Sequence, residues 1–212
     1  MARTKNIVKI NLPGGILTAG DLRAIVKAAE SVGVKEVQMS VRQQMYVSLP
    51  GTRLSDFTKV LDDASIFYEV DLDEYPNIVS SIVTDEIFNQ PQWLTEGIYN
   101  DLLDSFAFRP QLKINLVDST QTLIPFFTGN INFISSAVSN HWYLFIRFPK
   151  GSVNYQWQGL IYSADIAALS KIIEEVIMDN QHLFYDKTHA NGPLLQEMVE
   201  AKKKMVYQLN YE

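Results

Sequence analysis

The sequence contains no cysteine, and this absence removes several classes of function at once. Without thiolates the chain cannot ligate an iron–sulfur cluster or a zinc ion through sulfur, form a disulfide or carry a cysteine nucleophile. Positive charge is also scarce, because 18 Lys and Arg stand against 24 Asp and Glu and leave a net charge of −6. A chain with this balance repels nucleic-acid phosphates, so we expect no nucleic-acid partner.

Long apolar runs and signature loops are missing as well. No apolar run reaches the roughly 18 residues that a membrane span requires, and residues 1–6 lack the apolar middle of a signal peptide. We therefore expect a cytoplasmic protein without a membrane partner. The histidines His141, His182 and His189 have no mate at ligand spacing, which predicts no metal site. Phosphate-loop, dinucleotide-loop and serine-hydrolase patterns do not occur, so kinases, dehydrogenases and hydrolases receive no support.

Residues 1–75 do contain a clear alternation of strand and helix patterns. Apolar residues recur with the strand period over 7–12, 37–41, 45–49 and 66–70, and with the helix period over 18–32 and 54–61. Thr18 followed by Asp21 is typical of a capping box at the start of the first helix. The order strand, helix, strand, strand, helix, strand predicts a ferredoxin-like split βαβ half-domain.

A second domain is predicted over residues 76–212. Asp71, Asp73 and Glu74 indicate a charged linker, and the boundary is placed after Tyr75. Strands are expected over 78–83, 112–117, near Phe133 and over 142–148, with helices over 94–106, after a capping Ser163, and over 193–207. The whole chain is thus predicted to have an α+β fold.

The predicted hairpin turn carries Arg42, Gln43 and Gln44, where most hairpins place Gly or Asn. A guanidinium offers five donors in a planar fork, which suits a carboxylate or an oxyanion. An exposed arginine at a turn more often serves solubility alone. The residues by themselves leave both interpretations open.

Four motifs in the right order and at the right intervals resemble those of the siroheme-dependent nitrite and sulfite reductases. They are Leu12-Pro13-Gly14-Gly15, Asp21-Leu22-Arg23, Val41-Arg42-Gln43-Gln44 and Asn77-Ile78-Val79. The resemblance covers about residues 6–82 and continues more weakly over 108–114 and 130–134. It implies one pseudosymmetric half of such a reductase, with the ferredoxin-like half-domain over 1–75 and a degenerate siroheme-type α+β domain over 76–212.

The resemblance also implies roles for single residues. Arg42 matches the hairpin arginine that points at the cofactor and its bound anion, and Gln43 lies beside it. Lys113 matches the final lysine of the second motif, whereas Arg109 is displaced by one position, because Pro110 takes the place of the family's substrate-facing arginine. The candidate anion- or substrate-binding residues are therefore Arg42, Gln43, Arg109 and Lys113, and the candidate cofactor-binding residues are Arg42 and Asn132.

Charge separates the hypotheses about a cofactor. Siroheme is a polycarboxylate, and a buried carboxylate without a partner costs several kcal/mol. From Gln111 to Lys187 the sequence has five cations, namely Lys113, Arg147, Lys150, Lys171 and Lys187. This count favours a module of a redox protein that lacks its own iron cofactor. Such a module would act with a partner half, or with a C-terminal rubredoxin-like electron-transfer domain of a longer chain.

Two alternatives stay open. The chain could be the siroheme-binding half of an active nitrite/sulfite oxidoreductase, in which Arg42 and Lys113 neutralise the substrate anion. It could also be a domain that binds a small anion through Arg42 alone. Whether the chain is an enzyme is not decided by the sequence.

Overall fold

The computed structural model describes residues 5–82, 93–121 and 124–209. It divides into two compact units, Met1–Asn77 and Ile78–Glu212, which we call unit 1 and unit 2. The division falls after Asn77, whereas the sequence boundary was placed after Tyr75. Over the described ranges, no helix is both long and apolar enough to cross a membrane.

Unit 1 is a four-stranded antiparallel sheet with two helices packed on one face. Neighbouring strands follow the order β2-β3-β1-β4, which is the predicted ferredoxin-like arrangement. The elements are β1 (Asn6–Asn11), α1 (Ala19–Ser31), β2 (Gln38–Met39), β3 (Gln44–Leu49), α2 (Leu54–Asp63) and β4 (Tyr68–Val70). Short 3₁₀ turns at Pro13–Gly15 and Gly51–Arg53 connect them.

Strand alternation gives the sheet of unit 1 one apolar and one polar face. Val8 and Ile10 of β1 lie in the core with Ile25 and Phe57 of the helices, so Lys9 between them faces the opposite side. The predicted cap of α1 is confirmed, because the Thr18 hydroxyl oxygen accepts a hydrogen bond from the Asp21 amide at 3.0 Å. The Thr18 hydroxyl in turn donates to the Asp21 carboxylate.

The hairpin differs from its prediction in two ways. The Gln43 amide donates to the Ser40 carbonyl at 3.0 Å, so the turn spans 40–43 and Gln44 already belongs to β3. The strand before the turn is short, and neither Met39 at its end nor Val41 in the turn enters the core, since they are 61% and 92% exposed. Since β2 lies at the sheet edge, the period-2 pattern there indicated a strand without indicating burial.

Unit 2 is built on a mixed sheet with the strand order β10-β8-β7-β6-β5, and β9 also pairs with β8. Strands β5, β6 and β7 run parallel, and β8 is antiparallel to β7. The strands are β5 (Ile78–Ser80), β6 (Ile114–Val117), β7 (Ile131–Ser135), β8 (His141–Arg147), β9 (Asn154–Gln156) and β10 (Ile161–Tyr162). The helices are α3 (Glu96–Asp104), α4 (Ile166–Asp179), α5 (Gln181–Phe184) and α6 (Gly192–Leu209).

One expectation for unit 2 is wrong and one falls outside the described residues. Ser163 does not cap α4, because its hydroxyl accepts from the Trp142 indole and donates to the Asn140 carbonyl. Trp142 and Trp157 are both buried in the core. The expected end of the first strand of unit 2, at Val83, lies outside the described residues.

Candidate functional site

Three of the four sequence motifs meet at one corner of unit 1. We call this the hairpin corner and define it by the turn Pro13–Gly15, the turn residues Arg42 and Gln43, and Asn77. The side-chain amide nitrogen of Asn77 lies within hydrogen-bond distance of three backbone carbonyls, those of Leu12 (2.6 Å), Gln43 (2.8 Å) and Arg42 (3.0 Å). Asn77 is 2% exposed, so this side chain holds the two turns together from inside.

Glycine at position 15 is required by the neighbouring turn. Gly14 and Gly15 have φ of +64° and +78°, in the left-handed region that favours glycine. A β-carbon at Gly15 would stand 2.8 Å from Cδ and Nε2 of Gln43, so the Gln43 side chain lies directly on the Gly15 backbone. Gln43 itself has φ +54°, a conformation in which a non-glycine residue is strained. The Pro-Gly-Gly turn and the hairpin turn therefore fit each other sterically.

Arg42 is a half-buried member of the same corner. Its Nη2 donates to the Asn77 carbonyl at 2.6 Å, which closes a reciprocal contact with the Asn77 amide. Burial lowers the pKa of the Arg42 guanidinium to about 10, and the negative charge of Asp73 partly offsets that effect. Arg42 is still a cation at neutral pH, but part of its donor capacity serves the fold.

The polar face of the sheet carries a row of side chains that crosses all four strands. Gln38, Tyr46, Lys9 and Glu69 are successive register partners on β2, β3, β1 and β4. Lys9 is only 2% exposed, and its ammonium forms an ion pair with Glu69 and a second one with Asp73 at 2.6 Å. Burial alone would lower the pKa of Lys9, but these hydrogen bonds and charges outweigh it and raise the pKa above its usual value.

The acidic stretch that was interpreted as a charged linker is held against this polar face. Asp71 accepts hydrogen bonds from the Ile7 amide and the Asn6 side chain at the start of β1. The Tyr75 carbonyl accepts from Lys9 at 3.1 Å and from the Asn11 side chain at 2.7 Å. The negative charges of this segment are therefore specific partners of β1.

The predicted site residues of unit 2 lie in different surroundings. Arg109 and Lys113 are exposed. Asn130 fixes the Lys113 backbone through two hydrogen bonds. Its side-chain oxygen accepts from the Lys113 backbone amide at 3.0 Å, and its backbone amide donates to the Lys113 carbonyl at 2.7 Å. Asn132 is fully buried. Its side-chain nitrogen donates to the carbonyls of Gly129 and Phe145, at 2.9 and 3.3 Å.

Asn132 also belongs to a polar pair across two parallel strands. Its side-chain oxygen accepts from the Gly129 amide at 3.0 Å and from the Asn115 side chain, its register partner on β6, at 3.1 Å. Gly129 is sterically required here, since a β-carbon would stand 2.9 Å from the Asn132 side-chain oxygen. Asn132 thus shapes the loop before β7. Its role in cofactor binding stays a prediction.

Sequence reasoning missed two features of unit 1. It quoted Asn77 as part of a motif but assigned it no role, although the preceding Pro76 and the buried Ile78 place it in an interior position. It counted Lys9 only as a polar residue of an alternating strand. A lone lysine within the apolar strand Ile7–Ile10 and a lone glutamate between Tyr68 and Val70 were the available signals for a buried ion pair. Among the residues that the structure describes, no group of three or more His, Asp or Glu side chains could hold a metal ion.

These features define an α+β protein whose first unit has a ferredoxin-like fold, with the hairpin corner at one end of its sheet. Residues 2–64 match the sequence pattern of the Nitrite/Sulfite reductase ferredoxin-like half domain. Unit 1 therefore resembles the ferredoxin-like half-domain of the nitrite/sulfite reductases over most of its length.

Among solved structures, the NirA protein of Mycobacterium tuberculosis is similar to this chain, with a TM-score of 0.59 and 10% sequence identity. The match covers 86% of this chain and 36% of that protein, so this chain spans about a third of the NirA length. At this identity the likeness shows the fold. A comparison with curated protein sequences finds no match.

Proposed function

We propose that the chain is a half-reductase module of a redox protein. It acts with a partner half or with an electron-transfer domain such as a rubredoxin, and it does not hold siroheme in the manner of the reductases it resembles. The observation that carries the proposal is the use of Arg42 and Asn132 inside their own units. These are the two residues that the family resemblance assigns to the cofactor.

In unit 1, Arg42 donates to the Asn77 carbonyl at 2.6 Å, a contact that belongs to the hairpin corner. In unit 2, Asn132 is fully buried, and both polar atoms of its side chain have protein partners. To reach a ligand, Asn132 would have to leave buried groups unsatisfied, which costs about 1–3 kcal/mol for each neutral group. The side chains of both residues therefore stabilise their own units, which supports a domain that has the reductase fold but does not use these residues for a cofactor.

The cations of unit 2 support the same conclusion. Of the five between Gln111 and Lys187, Lys150 pairs with Asp186 at 2.7 Å, and Arg147 donates to the Phe127 carbonyl at 3.0 Å. Lys171 is exposed on α4, and Lys113 and Lys187 are exposed in loops before β6 and after α5. A polycarboxylate tetrapyrrole needs several converging cations. Cations that already have partners within unit 2, or that lie on distant segments of the chain, support the proposal that it does not hold siroheme in that manner.

One observation favours the alternative, a siroheme-binding half of a nitrite/sulfite oxidoreductase. The hairpin corner keeps the motif residues in mutual contact, with Gly15 making room for Gln43 and with Arg42 charged at neutral pH. A domain that no longer binds a ligand would not need this contact between the two turns, so its presence favours the alternative. The third hypothesis, binding of a small anion by Arg42 alone, draws on the same charge.

Visible absorption separates these hypotheses. The full chain would be produced in cells that make siroheme, purified without added cofactor, and compared with Arg42→Ala and Arg53→Ala. Arg53 is the control, because it is exposed and has only a long contact with Asp56, at 3.9 Å. We expect no stoichiometric siroheme band in any of the three proteins. A band that Arg42→Ala removes and Arg53→Ala retains would establish the alternative.

Two further measurements complete the test. Sulfite, nitrite or phosphate should leave the melting temperature of unit 1 unchanged; a rise that Arg42→Ala abolishes would support anion binding at the hairpin corner. For the electron-transfer partner, the labelled chain would be titrated with a rubredoxin and followed by NMR. Saturable shifts would support that partner, and their absence would favour a partner half.

A further inference from the structure

Unit 1 has a cavity that the proposed function does not use. Its volume is about 630 Å³, within the usual range for small-molecule sites, and it opens on the polar face of the sheet. The floor includes Ile7 of β1 together with Tyr46 and Ser48 of β3, and Ile7 and Ser48 are register partners. The cavity is therefore built on paired strands, which hold its floor rigidly.

The cavity lies at the end of the sheet away from the hairpin corner. In the β1–β3 pair, Asn11 and Gln44 mark the end next to the hairpin turn, whereas Asn6 and Leu49 mark the opposite end. Ile7 and Ser48 belong to that opposite end, and Lys5 and Pro50 continue beyond it. A ligand here would not contact Arg42 or Gln43, so this is a different site from the one that the motifs indicate.

Charge and apolar surface occur together in the lining. Lys5 and Lys35 are exposed cations on the wall, and neither forms an ion pair with any residue in the described ranges. Glu36 also lines the cavity, so the lysines leave a net charge of +1 there. Ile7 and Val34, both half-buried, supply apolar contact surface in the same lining.

The floor also has two hydroxyl groups, those of Tyr46 and Ser48. Tyr46 donates its hydroxyl to the Gln44 side chain, two residues away on the same strand, at 3.0 Å, which fixes the ring along β3. Burial raises the pKa of the Tyr46 phenol, and the negative charge of Asp73 raises it further, so the group is neutral under physiological conditions. The exposed Ser48 hydroxyl adds a donor beside the ring.

We infer that this cavity, lined by Lys5, Lys35, Ile7, Val34, Tyr46 and Ser48, binds a small organic anion that has an apolar body and one carboxylate or similar acidic group. The acidic group would lie between the two ammonium groups, and the apolar body would contact Ile7, Val34 and the Tyr46 ring. The inference does not rest on the proposed function, because it involves neither the hairpin corner nor unit 2.

Two probes of the same shape and opposite charge test it. The labelled full chain would be titrated with 1-naphthoate and, separately, with 1-naphthylmethylammonium, and backbone amide shifts would be followed by NMR. We expect saturable shifts with naphthoate, centred on residues 5–7, 34–35 and 46–48, and no saturation with the ammonium probe. Equal binding of the two probes, absence of saturation with naphthoate, or shifts centred on Arg42 and Gln43 would overturn the inference.

Charge variants provide the matched control. Lys5→Gln/Lys35→Gln removes two positive charges from the cavity, and Lys27→Gln/Lys59→Gln removes two from the exposed surfaces of α1 and α2. Naphthoate affinity should fall about five- to tenfold in the first variant, which corresponds to about 1–1.4 kcal/mol for the two exposed ion pairs together, and should be unchanged in the second. An equal loss in both lysine variants would contradict the inference.

Discussion

The side chain of Gln43 lies on the backbone of Gly15, so that a β-carbon at Gly15 would stand 2.8 Å from the Gln43 Cδ. These residues belong to different motifs, one in the turn after β1 and one in the turn before β3. The contact joins the Pro-Gly-Gly motif to the hairpin motif, although α1 separates them in the sequence. Each turn is shaped to receive the other, and Asn77 fixes both through their carbonyl groups.

Gly15→Ala should destabilise unit 1 more than Gly33→Ala does. Both glycines have positive φ, +78° and +75°, but a β-carbon at Gly33 has no atom within 4 Å. We expect the Gly33 variant to lose about 1 kcal/mol from backbone strain and the Gly15 variant to lose at least about 1 kcal/mol more. Hydrogen exchange of β1 and β3 amides measures this difference. Equal losses would mean that the Gln43 contact is absent.

Asn77→Ala should loosen the hairpin corner selectively. The substitution leaves the carbonyls of Leu12, Arg42 and Gln43 without their side-chain donor, and we expect a loss of about 2 kcal/mol. Asn77→Asp should be worse, because it places a carboxylate against three carbonyl oxygens. Amide exchange at residues 12 and 42–45 should accelerate in both variants. Unchanged protection there would contradict the role assigned to Asn77.

The measurement has to be local, because tryptophan fluorescence does not report on unit 1. The chain has three tryptophans, Trp93, Trp142 and Trp157, and all of them lie in unit 2. Fluorescence in urea therefore follows unit 2, and it serves as an internal control for the variants of unit 1. A variant of the hairpin corner should leave the fluorescence transition in place.

The strand and helix order of unit 1 could be predicted because each signal is local. Thr18 and Asp21 lie three residues apart and cap one helix, and the alternation of Ile7 to Leu12 arises within one strand. The edge strand shows the limit of such signals. Val37, Met39 and Val41 alternate like a half-buried strand and are all exposed, because burial depends on what covers a strand.

The candidate site depends on contacts that no local pattern contains. Lys9 and Asp73 are 64 residues apart in sequence, and Asn77 is 65 residues from Leu12. The family resemblance identified Arg42, but only coordinates show that its guanidinium donates to the Asn77 carbonyl. In the same way, Ser163 looked like a helix cap from the sequence, and its hydroxyl instead accepts from the Trp142 indole on β8.

Lys9→Met should be strongly destabilising, and a second substitution should rescue it. Without the ammonium, the Glu69 carboxylate remains buried without its cation, which costs about 3–5 kcal/mol. In Lys9→Met/Glu69→Leu both charges are gone, and we expect most of the loss to be recovered. Hydrogen exchange of β1 and β4 amides gives the free energies for a double-mutant cycle. If the losses of the single variants add in the double variant, the two side chains are not coupled.

The same lysine predicts a loss of stability at alkaline pH. Because the pKa of Lys9 is raised on folding, its contribution is fully present below the usual lysine value of 10.5 and is lost as the pH rises through the folded pKa. Arg42 acts in the opposite direction. Burial lowers its pKa to about 10, so deprotonation removes the cost of burying its charge and raises the stability of the folded state. Comparing the wild type with Lys9→Met/Glu69→Leu isolates the lysine, and only the wild type should show its share of the alkaline loss. Parallel pH profiles would refute this assignment.

In unit 2, Glu174 should make stability depend on pH in the acidic range. Its carboxylate accepts hydrogen bonds from the amides of Gln111 and Leu112 at 2.6 and 2.7 Å. Burial raises the pKa of Glu174 above its usual value of 4.5, although these two bonds partly offset the effect. A carboxyl whose pKa is raised on folding stabilises the folded state below its unfolded pKa, and that contribution is lost as the pH rises through the folded pKa.

Glu174→Gln keeps a carbonyl acceptor for the two amides and removes the titration. As the pH rises above about 4.5 the wild type should therefore lose stability relative to this variant, until the folded carboxyl is fully ionised. Urea unfolding of the full chain, followed by tryptophan fluorescence, measures the difference because the tryptophans lie in unit 2. Glu197→Gln on α6 is the matched control, since Glu197 is exposed and should leave the profile unchanged. If Glu174→Gln and Glu197→Gln give the same profile, the carboxylate is not held in the folded state as the geometry requires.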